Sequence, residues 1–299
     1  MQQTKHASGI KSLTIYLVDQ MKKQSIVVVF AALSLCNLST LAAVNVVPTC
    51  YEGKLTAPSA PLTKELFVLI DQTTSLDDQL RQSVAEQVRP FLSKGNAFSV
   101  LVFSAFTQGK YTQLLTSGQL DHTMLDTLRS DVSKPVLAKF DQCISRQAGL
   151  AGQTVGSALR SAFEGSSGAI AKSDVLASLK DISGKVRQSK ATEKVVLLVS
   201  DMLENSSISS FYANQLVRKI DPTKEMKLAT DSNLMADFGG ARVYVLGAGL
   251  LSDDTKNKKA AYRDPKTMSA LADFWRTYFE KSNAQLIEFG QPALLNQAK

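Results

Sequence analysis

The sequence predicts an α/β fold: a doubly wound, mostly parallel sheet with one antiparallel edge strand and helices on both faces. Three observations carry this expectation. Residues 66–70 (Leu-Phe-Val-Leu-Ile) and 195–199 (Val-Val-Leu-Leu-Val) are short, unbroken apolar runs, the pattern of strands buried on both faces. Between such runs lie segments of helical spacing, among them Leu76, Leu80, Val84 and Val88, and later Leu176, Leu179, Ile182 and Val186. A short run at 111–115, bounded by Gly109 and Gly118, follows the second long strand and reads as an antiparallel edge.

Taken in order, residues 44–64 carry Pro48, Pro58 and Pro61 and read as an extended lead-in to a domain over 65–290, with 291–299 as a tail. The strand at 66–70 leads into the helix that begins near Leu76. Residues 98–103 form a second strand, then comes the edge strand. Residues 121–147 have helical character with a break at Lys134-Pro135, and 149–153 read as a loop because Gly149 and Gly152 interrupt the pattern. Helical spacing resumes at 155–163 and again at 170–187. After the strand at 195–199, Ser207 reads as the cap of a helix running to about Ile220. The polar stretch 221–240, with Pro222 and Gly239-Gly240, reads as a loop insertion. A strand at 241–246 follows. Pro265 then opens a helix through Leu271, Trp275 and Phe279, and the last strand is 284–289.

Residues 1–43 concern address rather than fold. Lys22 and Lys23 precede an apolar stretch (h-region about 25–36), and small residues follow at Ser39, Thr40, Ala42 and Ala43, the layout of a secretory signal peptide cleaved near Ala43. The stretch is about half of the ~20 residues needed to span a bilayer, so the membrane enters only through this segment, if it is left uncleaved. Met21 lies immediately before the lysine pair, so residues 1–20 are also readable as an upstream start. The expected location is periplasmic or secreted.

The charge balance of the whole chain is +7. Cleavage removes four of its 34 basic residues (Lys5, Lys11, Lys22, Lys23) and one of its 27 acidic ones (Asp19), leaving 30 against 26, or +4. The cluster Lys256, Lys258, Lys259 stands beside Asp253 and Asp254, so no nucleic-acid surface is expected. His122 is the only histidine left, which argues against a histidine triad or a multi-histidine zinc site. Cys36 leaves with the signal, and Cys50 and Cys143 remain as an even pair in an oxidising compartment, expected to form a disulfide between the lead-in and a mid-domain helix.

The first apolar run ends in Asp71, followed by Thr73 and Ser75 at a strand-to-helix turn, where open α/β sheets keep their sites. The spacing Asp-x-Thr-x-Ser resembles the metal-ion-dependent adhesion site (MIDAS) of von Willebrand factor A (vWA) domains, usually Asp-x-Ser-x-Ser. The element order β-α-β-β-α-α-β-α-β-α-β is similar to that of these domains. The family also uses a Thr from a loop before a helix, matched here by Thr154 after Gly152-Gln153, and an Asp at the end of the next long strand, matched by Asp201. The resemblance implies Mg²⁺ (or Mn²⁺) held by Asp71, Thr73, Ser75, Thr154 and Asp201, hard oxygen donors of the kind these ions take. It also implies an open position for a carboxylate of a protein partner. Two departures stand out: Thr73 for the first Ser, and Met202 after Asp201 where many relatives have Gly.

Plainer roles exist for the same residues. Ser75 with Asp78 fits a helix cap, Thr154 fits another, and Glu204 reads as a substitute ligand or an outer acid. The expected function is an exported vWA-domain binding protein, not an enzyme. One alternative is a metal-independent scaffold subunit of an envelope assembly. The other is a phosphohydrolase using Asp71 in the manner of the haloacid dehalogenase group, against which Thr73 stands where that chemistry needs a second Asp.

Overall fold

A computed structural model describes residues 45–53, 55–107, 110–166, 173–213, 216–251 and 264–299. The expected signal peptide and the Lys256–Lys259 cluster lie outside the described residues. Among the described residues no helix is long and apolar enough to cross a membrane.

Strands β1 (Lys64–Asp71), β2 (Ala97–Thr107), β3 (Lys110–Gln119) and β4 (Glu193–Val199) belong to one sheet with β7 (Ala241–Leu246) and β8 (Ala284–Phe289). Two further strands, β5 (Tyr212–Ala213) and β6 (Leu216–Val217), pair only with each other. The sheet runs β3-β2-β1-β4-β7-β8, parallel throughout except for the antiparallel β2–β3 pair at one edge. This is the fold class the sequence predicts. β1 and β4 are neighbours, with Ile70 opposite Val199. The chain winds outward from β1 to β2 and, after β4, outward in the other direction. The crevice between the carboxyl ends of β1 and β4 is therefore the switch point where open α/β sheets bind ligands.

Helices α1 (Asp78–Val88), α2 (Asp126–Arg129), α3 (Lys134–Glu164), α4 (Val175–Gln188), α5 (Pro222–Asp231) and α6 (Pro265–Lys281) complete the fold. Alternation along each strand splits the core in two. Phe67 and Leu69 of β1, with Val196 and Leu198 of β4, pack under α4, α5 and α6, where Phe274, Trp275, Tyr278 and Phe279 are fully buried. Leu66, Val68 and Ile70, with Val195, Leu197 and Val199, pack under α1 and the second half of α3. The tail also lies on this side, with Ala298 buried and its N–H donated to Gln87 Oε1 at 2.7 Å.

The first half of α3 covers a separate small cluster of Cys50, Met124, Phe140 and Ile144. Here Cys50 and Cys143 form the expected disulfide, and the Tyr51 and Phe140 rings meet edge to face at 4.9 Å.

Three expectations are corrected. The loop at 149–153 is helix: α3 runs unbroken for 31 residues, and Pro135 lies in its first turn rather than breaking it. Its three interior glycines, Gly149, Gly152 and Gly156, each cost about 1 kcal/mol, but Phe140, Ile144, Gln147, Ala151, Val155, Ala158 and Ala162 keep one buried stripe along its whole length. The helix expected from Ser207 is irregular chain plus the β5–β6 hairpin, because serine hydroxyls bind local backbone: Ser206 Oγ accepts from Ile208 N and Ser210 Oγ from Tyr212 N. The stretch 221–240, expected as loop, contains α5; Asp221 caps it through the N–H groups of Thr223 and Lys224, and Pro222 takes the first turn.

Candidate metal centre

The end of β1 places Asp71 inside the protein, fully buried. Its Oδ1 accepts from the Thr73 N–H at 2.9 Å and the Thr73 hydroxyl at 2.7 Å. Its Oδ2 accepts from the hydroxyls of Ser200 at 2.9 Å and Ser173 at 3.1 Å. Burial raises its pKa, and these hydrogen bonds work against that rise.

Asp201 follows β4 directly and is also buried. The Leu203 N–H reaches its Oδ1 at 2.8 Å, and the Tyr212 hydroxyl donates to its Oδ2 at 3.0 Å. Burial first, then the neighbouring charge of Asp71, pushes its carboxyl up to about 8. Tyr212 in turn has its pKa raised by burial and by the carboxylate it touches. Thr74, buried between the two Asp-bearing segments, accepts the Asp201 N–H at 3.0 Å and ties them together. No lysine, arginine or histidine acts on either carboxylate among the described residues.

The backbone turns sharply after Asp201. Met202 has φ 62°, the left-handed region that glycine enters without strain and other residues rarely adopt. The strain is held by packing: the Met202 side chain is fully buried and its carbonyl accepts the Trp275 indole N–H at 2.9 Å. Gly247, at φ 105°, allows β7 to end against this turn, since a Cβ there would lie 3.1 Å from the Ser200 carbonyl oxygen.

Of the residues expected from the sequence, Asp71, Thr73 and Asp201 meet at this crevice. Ser75 lies in the same β1–α1 turn, two residues before the true helix cap, Asp77, whose carboxylate accepts from Leu80 N at 2.8 Å. The capping role considered for Ser75 therefore falls away, and its hydroxyl makes no hydrogen bond among the described residues.

Thr154 is not in a loop. It lies in mid-α3 with its hydroxyl donated to the Leu150 carbonyl at 2.9 Å. The site end of that helix is Gly165, where a Cβ would lie 2.8 Å from Gln72 Nε2. At 1.5 Å per residue, Thr154 is about 16 Å back along the axis. The loop hydroxyl that precedes a helix and reaches Asp71 is Ser173, just before α4. Glu204 is turned away from the pair: it caps α4 by accepting from Leu176 N at 2.9 Å.

The donor set suits a hard divalent cation. A hydroxyl has one proton and two lone pairs, so Thr73 and Ser173, each giving its proton to Asp71, keep lone pairs for a metal. Burial favours the neutral form of both carboxyl groups, and a bound cation would supply the compensating charge that lets them ionise. Among the described residues no group of three or more His, Cys, Asp or Glu is placed to hold a metal ion, so hydroxyls would have to complete the donor set around the two carboxyl groups.

No protein-family model matches this sequence, and no curated protein does. Among solved structures the chain is similar to the vWF domain of the type V pili tip protein Mfa5 from Porphyromonas gingivalis, at 12% identity over 60% of this chain and 53% of that one, TM-score 0.26. It is similar to the PilB minor pilin from Streptococcus sanguinis at 11% identity over 79% and 59%, TM-score 0.36. A further similarity is to an aerotolerance-related membrane protein from Bacteroides fragilis, at 10% identity over 77% and 92%, TM-score 0.32. The fold assignment rests on the strand order and register of this chain itself.

Proposed function

We propose that this protein is an exported binding protein of vWA type that engages a protein partner through Mg²⁺ (or Mn²⁺) at the β1–β4 crevice. The observation that carries this reading is the pair Asp71 and Asp201, both buried at the switch point, ringed by hydroxyls and, among the described residues, without a basic neighbour. Buried charges are normally paired or coordinate metals. Asp71, Thr73, Ser75, Ser173 and Asp201 are the residues that would hold the ion. When bound, the ion supplies a positive centre with an exchangeable position for a partner's carboxylate. Asp71 and Asp201 set the charge of the site, while Thr73 and Ser173 orient Asp71 by donating to it. The Cys50–Cys143 disulfide agrees with an oxidising, periplasmic or extracellular setting. A binding role is favoured over a phosphohydrolase because Thr73 offers no acid where that chemistry needs one.

A metal-independent scaffold is the second reading, favoured by one observation: each oxygen of Asp71 already accepts two hydrogen bonds. Thermal melting with millimolar Mg²⁺ or Mn²⁺, against chelator, separates the two. A metal bound only to the folded state raises Tm by mass action. The expected result is a shift in the wild type that Asp71→Asn abolishes. A wild type whose Tm ignores both ions leaves the scaffold reading standing.

A further inference from the structure

Tyr212 belongs to no motif, yet the chain commits an irregular segment to placing it. Its hydroxyl donates to Asp201 Oδ2 at 3.0 Å from the β5–β6 hairpin. The residue before it, Phe211, is fully buried against Phe274 at 5.3 Å and Trp275 at 6.5 Å. Just after the return strand, the Arg218 N–H donates to the Phe211 carbonyl at 2.9 Å and its Nε to that of Ser210 at 2.5 Å. Arg218 is itself fixed by the buried Glu225 of α5 at 2.7 Å, which also accepts from Ser209 Oγ at 2.6 Å.

The same segment reaches the other side of the crevice. Asn205 bridges both Ser173 and Ser210, and its N–H donates to the Ser173 carbonyl at 2.9 Å. Ser173 is the residue whose hydroxyl lies on Asp71. One flap, residues 205–213 and 216–218, therefore fixes Ser173 beside Asp71 and holds Tyr212 on Asp201.

We propose that Tyr212 is a positioning residue for the metal centre: its O–H orients the Asp201 carboxylate, and through it and Ser173 the flap tightens when the ion binds. This rests on the metal-site reading above. Groups that orient a metal's ligands are worth about 10–100-fold in affinity when removed. Tyr212→Phe keeps the ring and deletes only the donor.

The test is calorimetric titration of the purified, disulfide-intact protein and of Tyr212→Phe with MgCl₂ and MnCl₂. Hydrogen exchange of the amides at 205–212 is followed in parallel, with and without metal. The expected result is a 10–100-fold weaker metal affinity in the variant and metal-dependent protection of the flap in the wild type. The wild-type exchange measurement stands even if the variant folds poorly. A wild type that binds metal while Tyr212→Phe binds it equally or more tightly overturns this proposal and spares the metal site. Metal binding by the wild type with no change in flap exchange also overturns it. A wild type that binds neither ion overturns the metal-site reading, and this proposal with it.

Discussion

The Trp275 indole N–H is bonded to the carbonyl of Met202 at 2.9 Å, deep in the core. That contact joins α6 to the turn that aims Asp201 at Asp71, and it holds a non-glycine residue at φ 62°. Trp275→Phe keeps an aromatic ring but leaves the buried carbonyl without its donor, a loss of about 1–3 kcal/mol. The expected outcome in urea unfolding is a lower midpoint with an unchanged m-value. An unaltered midpoint means that the Met202 turn does not depend on the indole.

Ser173, rather than Thr154, is the loop hydroxyl that lies on Asp71, and one pair of variants tests which of the two serves the proposed metal. Thr154→Ala removes a hydroxyl that only bonds back along α3, so metal affinity should not change. Stability should stay level or rise by a few tenths of a kcal/mol, as Ala is the better helix former. Ser173→Ala removes a hydroxyl on Asp71 and should weaken Mg²⁺ binding in a calorimetric titration. The reverse pattern restores Thr154 as the ligand.

The contrast shows where the sequence was readable. Asp71 and Asp201 were legible because an unbroken apolar run that stops at a carboxylate marks the end of a buried parallel strand. Thr73 and Ser75 came with Asp71, two and four residues on. Thr154 was read into a loop because that reading depends on where α3 begins and ends. Gly149 and Gly152 look like breakers, while the buried stripe that overrides them becomes clear only in the packed core. Tyr212 left no signal: it lies 11 residues from Asp201, in a serine-rich segment whose path is set by Phe211 and Arg218 rather than by periodicity. Residues 207–220 and 221–240 were read in the wrong order for a related reason. Asp221-Pro222 is both a turn signal and a helix start, and only the bonds to Thr223 and Lys224 decide.

The disulfide should matter for stability and not for the site. It joins residues 93 apart, and closing a long loop is worth about 2–4 kcal/mol. Cys143 is 22 residues before Gly165, about 33 Å along the helix axis, and effects at such separations add independently. Cys50→Ser/Cys143→Ser should therefore lower the urea midpoint while leaving Mg²⁺ affinity as it was. A variant that loses metal binding at full folding shows that the lead-in reaches the crevice.

Glu204 makes stability depend on pH. It is almost fully buried over the N-terminus of α4, accepting from Leu176 N, and burial raises its pKa from 4.5 to about 7. At low pH the carboxyl is protonated in both folded and unfolded chains and contributes no difference. As pH rises past 4.5 the unfolded chain gives up this proton while the folded chain keeps it, so stability falls until the folded group ionises near 7. The loss is about 3 kcal/mol at 1.36 kcal/mol per pKa unit. Asp71 and Asp201 shift in the same direction, so the wild-type slope is the sum of several groups. Glu204→Gln isolates one of them: its amide oxygen still accepts from Leu176 N, and it has no proton to lose. Urea midpoints in chelator at pH 5, 6, 7 and 8 should show the variant gaining on the wild type between pH 5 and 7, with little further gain above. Parallel curves across that window would mean that Glu204 is ionised in the folded protein throughout, its charge accommodated by the helix N-terminus it caps.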